Sequence, residues 1–332
     1  MRAAWYEKTG QARDVLVVGE MPSPPLSAGD VRVRLHSSGV NPSDVKARAG
    51  RPMIAPKIVP HSDGAGIISE VGPGVPHGRL GERVWIWNGQ WKRPFGTAAE
   101  SIVVPQEQAV TLPDNTTFEE GACLGIPALT ALRAMTTDGS VLGKTVLVTG
   151  GAGAVGSYAI QFARLLGAGS IIASVSSDDK AAIAKSCGAD HVVNYRTDDI
   201  VERIKDVTNG AGADRIVEVD AAANVKFLPD ITARDGLYVV YGSGAAEIPF
   251  SFGPMIAVGA AARFFVVYEL APSVREQTVR ALNGYLRAGS LTHRVARTFA
   301  LDDVVAAHEA VESGGTVGNV VLTLEAELAG AR

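Results

Sequence analysis

Residues Thr145 to Leu166 read TVLVTGGAGAVGSYAIQFARLL. A β-branched run at Val146–Val148 leads into glycines at Gly150, Gly151, Gly153 and Gly156. Beyond them Val155, Ala159, Phe162, Ala163 and Leu166 recur at helical spacing. A strand, a glycine turn and a helix in that order open a dinucleotide-binding unit. Glycine lets the backbone turn tightly and approach a pyrophosphate, and the helix start offers free N–H groups with a partial positive charge. The glycine spacing includes Gly150-x-x-Gly153-x-x-Gly156. A close helix–strand crossing with no ligand would read the same way.

The flanks supply the context. Before residue 110 the chain breaks into short apolar bursts at Ala3–Tyr6, Val15–Val18, Val31–Ser37, Gly64–Val71, Arg83–Trp87 and Ser101–Pro105, punctuated by Pro and Gly. Many short strands with frequent turns predict a β-barrel-like domain. Asn41-Pro42-Ser43-Asp44 starts a short helix, and residues 118–134 are helical with a break at Gly125–Pro127. After Val146 strands and helices alternate. Strands are expected at Val146–Thr149, Ser170–Val175, His191–Asn194, Arg215–Glu218, Gly236–Tyr241 and Arg263–Val267. Helices are expected at Asp178–Cys187, Ile200–Thr208, Ala222–Ala233, 272–289 and Phe299–Val311, the last capped by Asp302 or Asp303. This alternation predicts an α/β fold with a doubly wound parallel sheet. A final strand, Gly318–Leu324, has no helix after it and is free to rejoin the first domain.

Length and charge set the outer limits. A chain of 332 residues suits two domains. A net charge of −4 gives no electrostatic reason to expect nucleic acid or an anionic membrane surface. No apolar run approaches the roughly 20 residues of a membrane span, and MRAAWYEKTG carries no apolar signal core, so a cytoplasmic protein is expected. The two cysteines, Cys123 and Cys187, read as small buried hydrophobes and exclude a multi-cysteine zinc site.

Six segments then stand in a recognisable order: Gly39-Val40-Asn41-Pro42-Ser43-Asp44 with Arg48-Ala49-Gly50; Asp63-Gly64-Ala65-Gly66 with Val71-Gly72-Pro73-Gly74-Val75; Gly81-Glu82-Arg83-Val84; Gly96-Thr97-Ala98-Ala99-Glu100; Gly125-Ile126-Pro127-Ala128-Leu129-Thr130-Ala131; and Gly150 to Gly156. In these, and over nearly its full length, the chain resembles the medium-chain dehydrogenase/reductase superfamily, in its zinc-free, ζ-crystallin-like quinone oxidoreductase branch. The resemblance implies a GroES-like β-barrel domain at 1–125 and 268–332 and a Rossmann domain at 126–267. It also implies a homodimer, paired through the strand near Phe264–Val267.

The zinc dehydrogenases that this chain resembles place a Cys near Asn41 and a Gly-His-Glu where His61-Ser62-Asp63 stand. The ligand slots hold Asn and Ser, and His61 is offset by one residue, so it reads as a turn or packing residue and no metal is expected. Without a Lewis acid, alcohol oxidation is disfavoured, and an acceptor that is already electrophilic is preferred.

The expected cofactor is NADPH. After Ser170–Val175 a free ribose 2′-OH would meet an acid, but Ser176 and Ser177 stand there with Lys180 one turn on. Hydroxyls and a cation suit a 2′-phosphate. Asp178 and Asp179 fit the helix dipole. By resemblance Tyr195 is the second phosphate contact, and Asn41, Thr130, Gly242, Ser243, Phe265, Val267 and Asn319 line the rest of the cofactor beside Gly150, Gly153, Ala154, Val155 and Gly156. Asn319 stands where relatives often carry Lys or Arg, and Ala154 where Gly is common.

The substrate side is less determined. Asn41 and Asp44 either orient a carbonyl or ribose, or cap a helix. Lys46 stands where relatives carry Tyr, and is either a hydrogen-bond donor to a substrate oxygen or a solvated cation. Trp85, Trp87 and Trp91 put three of the four tryptophans in one segment, which fits either a planar-substrate pocket built on Trp87 and Trp91 or barrel packing. No residue is assigned as a general acid. The expected function is NADPH:quinone reduction. The alternatives are an enone, enal or enoyl-thioester reductase, and an NADPH-binding structural or regulatory protein of the crystallin kind.

Overall fold

The computed structural model describes residues 1–324; the expectations for 325–332 lie outside the described residues. The chain divides into two compact units, one of Met1–Ile126 with the chain from Asn283 on, the other Pro127–Leu282. Residues 268–282, expected with the barrel, group with the second unit. The dividing point lies inside one continuous helix, Pro272–Arg287.

The first unit contributes β1 (Arg2–Trp5), β2 (Val17–Glu20), β3 (Asp30–Val40), β4 (Asp63–Val71), β5 (Arg83–Ile86), β6 (Ser101–Pro105) and β7 (Ala109–Thr111). Alternation along β3 buries Val31, Val33 and Leu35 and turns Arg32 and Arg34 outward. These side chains join Ile68, Val84, Ile86, Ile102 and Val104 in one core. Each such residue contributes roughly 1.5–3 kcal/mol by leaving water.

The second unit holds β8 (Thr145–Val148), β9 (Ser170–Val175), β10 (His191–Asn194), β11 (Ala213–Glu218), β12 (Thr232–Val240) and β13 (Ala261–Phe264). They form one parallel sheet in the order β10-β9-β8-β11-β12-β13. The chain leaves β8 toward β9 and β10, then returns to β11 on the other side of β8. The switch point therefore lies at the carboxyl ends of β8 and β11, where open parallel sheets bind ligands. Leu147, Ile172, Ile216 and Tyr238 are wholly buried in the core beneath it.

Two strands return to the barrel, β14 (Val295–Ala300) and β15 (Asn319–Thr323). β15 pairs antiparallel with β3, Val320 opposite Val40, and parallel with β14. The sheet runs β14-β15-β3-β4-β5-β7, with β6 also on β3.

Several expected elements are corrected. Ala222–Ala233 is not a helix. Asp220 caps a single turn, Ala221–Asn224, then Leu228–Ile231 is a 3₁₀ turn and Thr232 already belongs to β12. Pro229 explains the break, because it lacks the N–H a helix interior needs. Phe299 and Ala300 lie in β14, where Phe299 pairs with Leu322, and the helix starts at Val304. Asp303 holds the cap position but accepts no hydrogen bond there. Val15 closes a helical turn, Ala12–Val15, ahead of β2. Cys123 is buried, but Cys187 is only half-buried, and neither forms a disulfide. No helix among the described residues is long and apolar enough to cross a membrane.

Candidate functional site

The dinucleotide turn is built by backbone shape. Gly150 adopts φ +65°, and a side chain at Gly156 would drive into the Gly150 carbonyl oxygen. The helix Ala154–Leu165 therefore starts close against the end of β8, with Gly153 at its N-cap. Gly153 is exposed, and Ala154 and Val155 are half-exposed, so the first turn opens outward. N–H groups at such a helix start are able to hold a phosphate.

Across the switch point Thr149 Oγ1 donates to Glu218 Oε1 at 3.0 Å. The same oxygen accepts from the Asp220 N–H at 2.6 Å and Asn224 Nδ2 at 2.8 Å. Burial pushes the Glu218 carboxyl above its ordinary range. No sequence pattern signals this clamp, because a single Glu at a strand end has no spacing to read.

At the tip of β9 the expected groups come together. Lys180 Nζ donates to Ser176 Oγ at 3.0 Å, and Ser177 Oγ caps the helix Asp178–Ser186 by accepting from the Lys180 N–H. The Tyr195 N–H donates to the Val175 carbonyl at 3.0 Å. Tyr195 thus emerges beside Ser176 with its ring 52 % exposed. The result is an open patch of hydroxyls and one ammonium, with Asp178 and Asp179 in the helix's first turn.

The remaining cofactor-side residues are spread more widely. Thr130 is buried in the helix Leu129–Thr136. A side chain at Gly242 would strike the Val219 carbonyl, and Ser243 Oγ donates to the Ala245 carbonyl at 2.7 Å. The Phe265 N–H donates to the Val240 carbonyl, which sets it just beyond β13, and Val267 is buried, its carbonyl accepting from Arg275. Asn319, in the barrel unit, already spends its amide N–H on the Arg294 carbonyl at 3.1 Å.

In the barrel unit Asn41 and Asp44 show the capping geometry. Asp44 Oδ2 accepts from the Asn41 N–H at 2.8 Å, and Asn41 Nδ2 donates to Asp63 Oδ2 at 3.0 Å. Asp63 Oδ2 also accepts from the Ile126 N–H. Burial pushes the Asp44 carboxyl up to about 7. Lys46 is exposed.

His61 sits wholly buried with φ +76°. Its Nδ1 lies 2.9 Å from Ser38 Oγ, and its Nε2 lies 2.9 Å from His308 Nε2. Thr97 donates to the Asp63 carbonyl at 2.6 Å and lies 2.8 Å from Ser38 Oγ. Thr97 has one hydroxyl proton, so Ser38 must donate to Thr97 and accept from His61 Nδ1–H. His61 Nε2 then accepts from His308 Nε2–H, and both rings are neutral. Burial lowers both pKa values, that of His308 to about 3, with Arg48 adding repulsion there. Among the described residues no group of three or more His, Cys, Asp or Glu is placed to hold a metal ion.

The tryptophans separate. Trp85 is core and donates to Asn283 Oδ1; Trp87 donates to the Glu107 carbonyl at 3.1 Å. Trp91 lines a cavity of about 140 Å³ with Tyr6, Arg51, Met53, Ile54 and Lys92. Tyr6 and Arg51 were not legible as lining residues, because 85 residues separate Tyr6 from Trp91 and nothing periodic connects them.

The comparisons with known proteins match this architecture unit by unit. The alcohol dehydrogenase GroES-like domain matches residues 27–114, and the zinc-binding dehydrogenase domain matches residues 154–283. The human quinone oxidoreductase is 30% identical over 301 residues, 89% of each chain. A 2-haloacrylate reductase from a Burkholderia species is 29% identical, covering 98% of this chain and 99% of that one. The Escherichia coli quinone oxidoreductase, solved complexed with NADPH, superposes with a TM-score of 0.86 at 25% identity, over 98% of this chain and 100% of that one. The chain belongs to the medium-chain dehydrogenase/reductase superfamily of oxidoreductases, in its quinone oxidoreductase branch.

Proposed function

We propose that the chain is an NADPH-dependent reductase acting on a quinone without zinc. The observation that carries the cofactor choice is Lys180 Nζ on Ser176 Oγ at the tip of β9, where an acid would select NADH. The residues fit the group. The Gly150–Gly156 turn and the helix start take the pyrophosphate, and Ser176, Ser177, Lys180 and Tyr195 take the 2′-phosphate. Thr130, Gly242, Ser243, Phe265 and Val267 are the further cofactor-side residues of the same unit.

When bound, NADPH supplies a hydride from C4 of its nicotinamide. The chain's part is orientation, with Trp91 offering a flat face to a planar acceptor. Water supplies the proton. His61 and His308 are not candidates, since each nitrogen they share is spent on the other ring. The names of the quinone oxidoreductase relatives support a quinone acceptor.

A second reading, reduction of a conjugated enone, enal or unsaturated acid, is favoured by one observation. The cavity beside Trp91, about 140 Å³, is below the roughly 300–1,000 Å³ of pockets for larger ligands. The 2-haloacrylate reductase relative points the same way. Steady-state NADPH oxidation on matched panels separates the readings. Quinones are expected to turn over, faster rates on unsaturated acids would install the second reading, and binding without turnover on either panel would leave a structural role.

We also propose a homodimer through β13. That strand is the sheet's edge, all four of its residues are exposed, and Phe252, Ile256, Phe264 and Val266 are exposed apolar groups in the same unit. A single-chain mass by light scattering at micromolar concentration would remove the idea.

A further inference from the structure

The cavity beside Trp91 has a feature that quinone reduction does not use. Its six principal walls, Tyr6, Arg51, Met53, Ile54, Trp91 and Lys92, include two cations and no carboxylate. The Arg51 guanidinium lies 5.5 Å from the Trp91 ring centroid, and Lys92 Nζ lies 5.8 Å from it. No hydrogen bond or ion pair engages the exposed Arg51 guanidinium among the described residues; the Trp91 ring flanks it, and its charge reaches the buried Asp44 carboxyl and Tyr6. The nearby acid, Asp44, is buried under the helix start with Oδ2 on the Asn41 N–H. The loop is also strained toward this arrangement. Lys92 has φ +57° and Asn88 φ +54°, a region that a lysine enters only when its surroundings force it.

Guanidinium is planar and presents paired N–H groups that match a carboxylate, and stacking on an indole fixes its plane in advance. Trp91 and Tyr6 make the rest of the wall flat and aromatic. The volume admits a small molecule. We propose that Arg51, supported by Lys92 and aligned by Trp91, is a specificity-determining residue that takes the carboxylate of a small planar conjugated acid. This rests on the reductase reading for its purpose, but the binding event stands apart from turnover.

The test therefore uses equilibrium binding of an inert planar pair, benzoate and its neutral counterpart benzamide, by calorimetry on the NADPH-loaded protein. Benzoate is expected to bind about tenfold tighter than benzamide. Arg51→Gln should abolish that preference and leave benzamide binding and NADPH affinity unchanged. Trp91→Leu, which frees the guanidinium, should reduce the preference and weaken both ligands. Equal binding of benzoate and benzamide to the wild type would overturn the proposal, and so would an Arg51→Gln protein that keeps the preference. If the preference is present and no conjugated acid or quinone is reduced, the reductase reading fails while the carboxylate site remains. If quinones are reduced and the preference is missing, the reverse holds.

Discussion

The candidate sites of the two units are built by opposite means. In the parallel-sheet unit the recognition surface is mostly backbone: a left-handed Gly150, a Gly156 that cannot carry a side chain, and the open helix start at Gly153. The parts lie within a few residues of each other. In the barrel unit the recognition surface is side chains from separate segments, Tyr6, Arg51 and Trp91, brought round one cavity. A backbone site tolerates little change, because its geometry is its function. A side-chain site can be re-aimed by single substitutions.

The difference can be broken at its strongest point first. Gly156→Val puts a side chain into the Gly150 carbonyl, and overpacking of this kind costs about 3 kcal/mol. The variant should melt lower and lose NADPH-induced thermal stabilisation, and a variant that keeps both would show that the turn is not the phosphate site. Next, Lys180→Ala should raise the KM for NADPH about 10- to 100-fold, the worth of a charge-assisted hydrogen bond, and leave that for NADH in place. An unchanged KM for NADPH would remove the 2′-phosphate assignment.

The smallest effect is a pH dependence in the barrel. His61 and His308 are neutral in the fold, with pKa values below the ordinary 6.5, and His308 at about 3. The unfolded chain binds protons that the folded chain refuses. The pair's contribution is therefore whole above about pH 6.5 and is lost as pH falls toward 3. Melting temperature against pH should fall less steeply for His308→Leu than for the wild type between pH 6.5 and 4.5. His308→Leu should also be less stable than the wild type at pH 8, where His61 Nε2 loses its donor. Parallel curves would refute the neutral pair.

The alternating half of the chain was readable because each parallel strand is a short apolar run bounded by turn residues. Ser170–Val175 and His191–Asn194 fall where expected. At Ala222–Ala233 alanine's helix propensity does not carry past Pro229, and the sheet claims Thr232 onward. The clustering of Ser176, Ser177 and Lys180 was readable because they share one strand tip and one helical turn. The barrel cavity was not. Trp87 and Trp91 look equivalent in sequence, yet one donates to the Glu107 carbonyl and the other lines the cavity. The His61–His308 contact spans 247 residues and no local pattern reports it.

β15 has a consequence for how the molecule is made. During synthesis β3 and β4 emerge close together and can pair, but β15, which pairs the other edge of β3 at Ser37–Val40, emerges only after the whole parallel-sheet unit. The parallel-sheet unit is complete in sequence by Leu282 and can fold while the barrel waits with that edge of β3 open. The barrel is thus sealed after the unit that interrupts it, and the nascent barrel, rather than the parallel-sheet unit, is the state that a chaperone would have to guard.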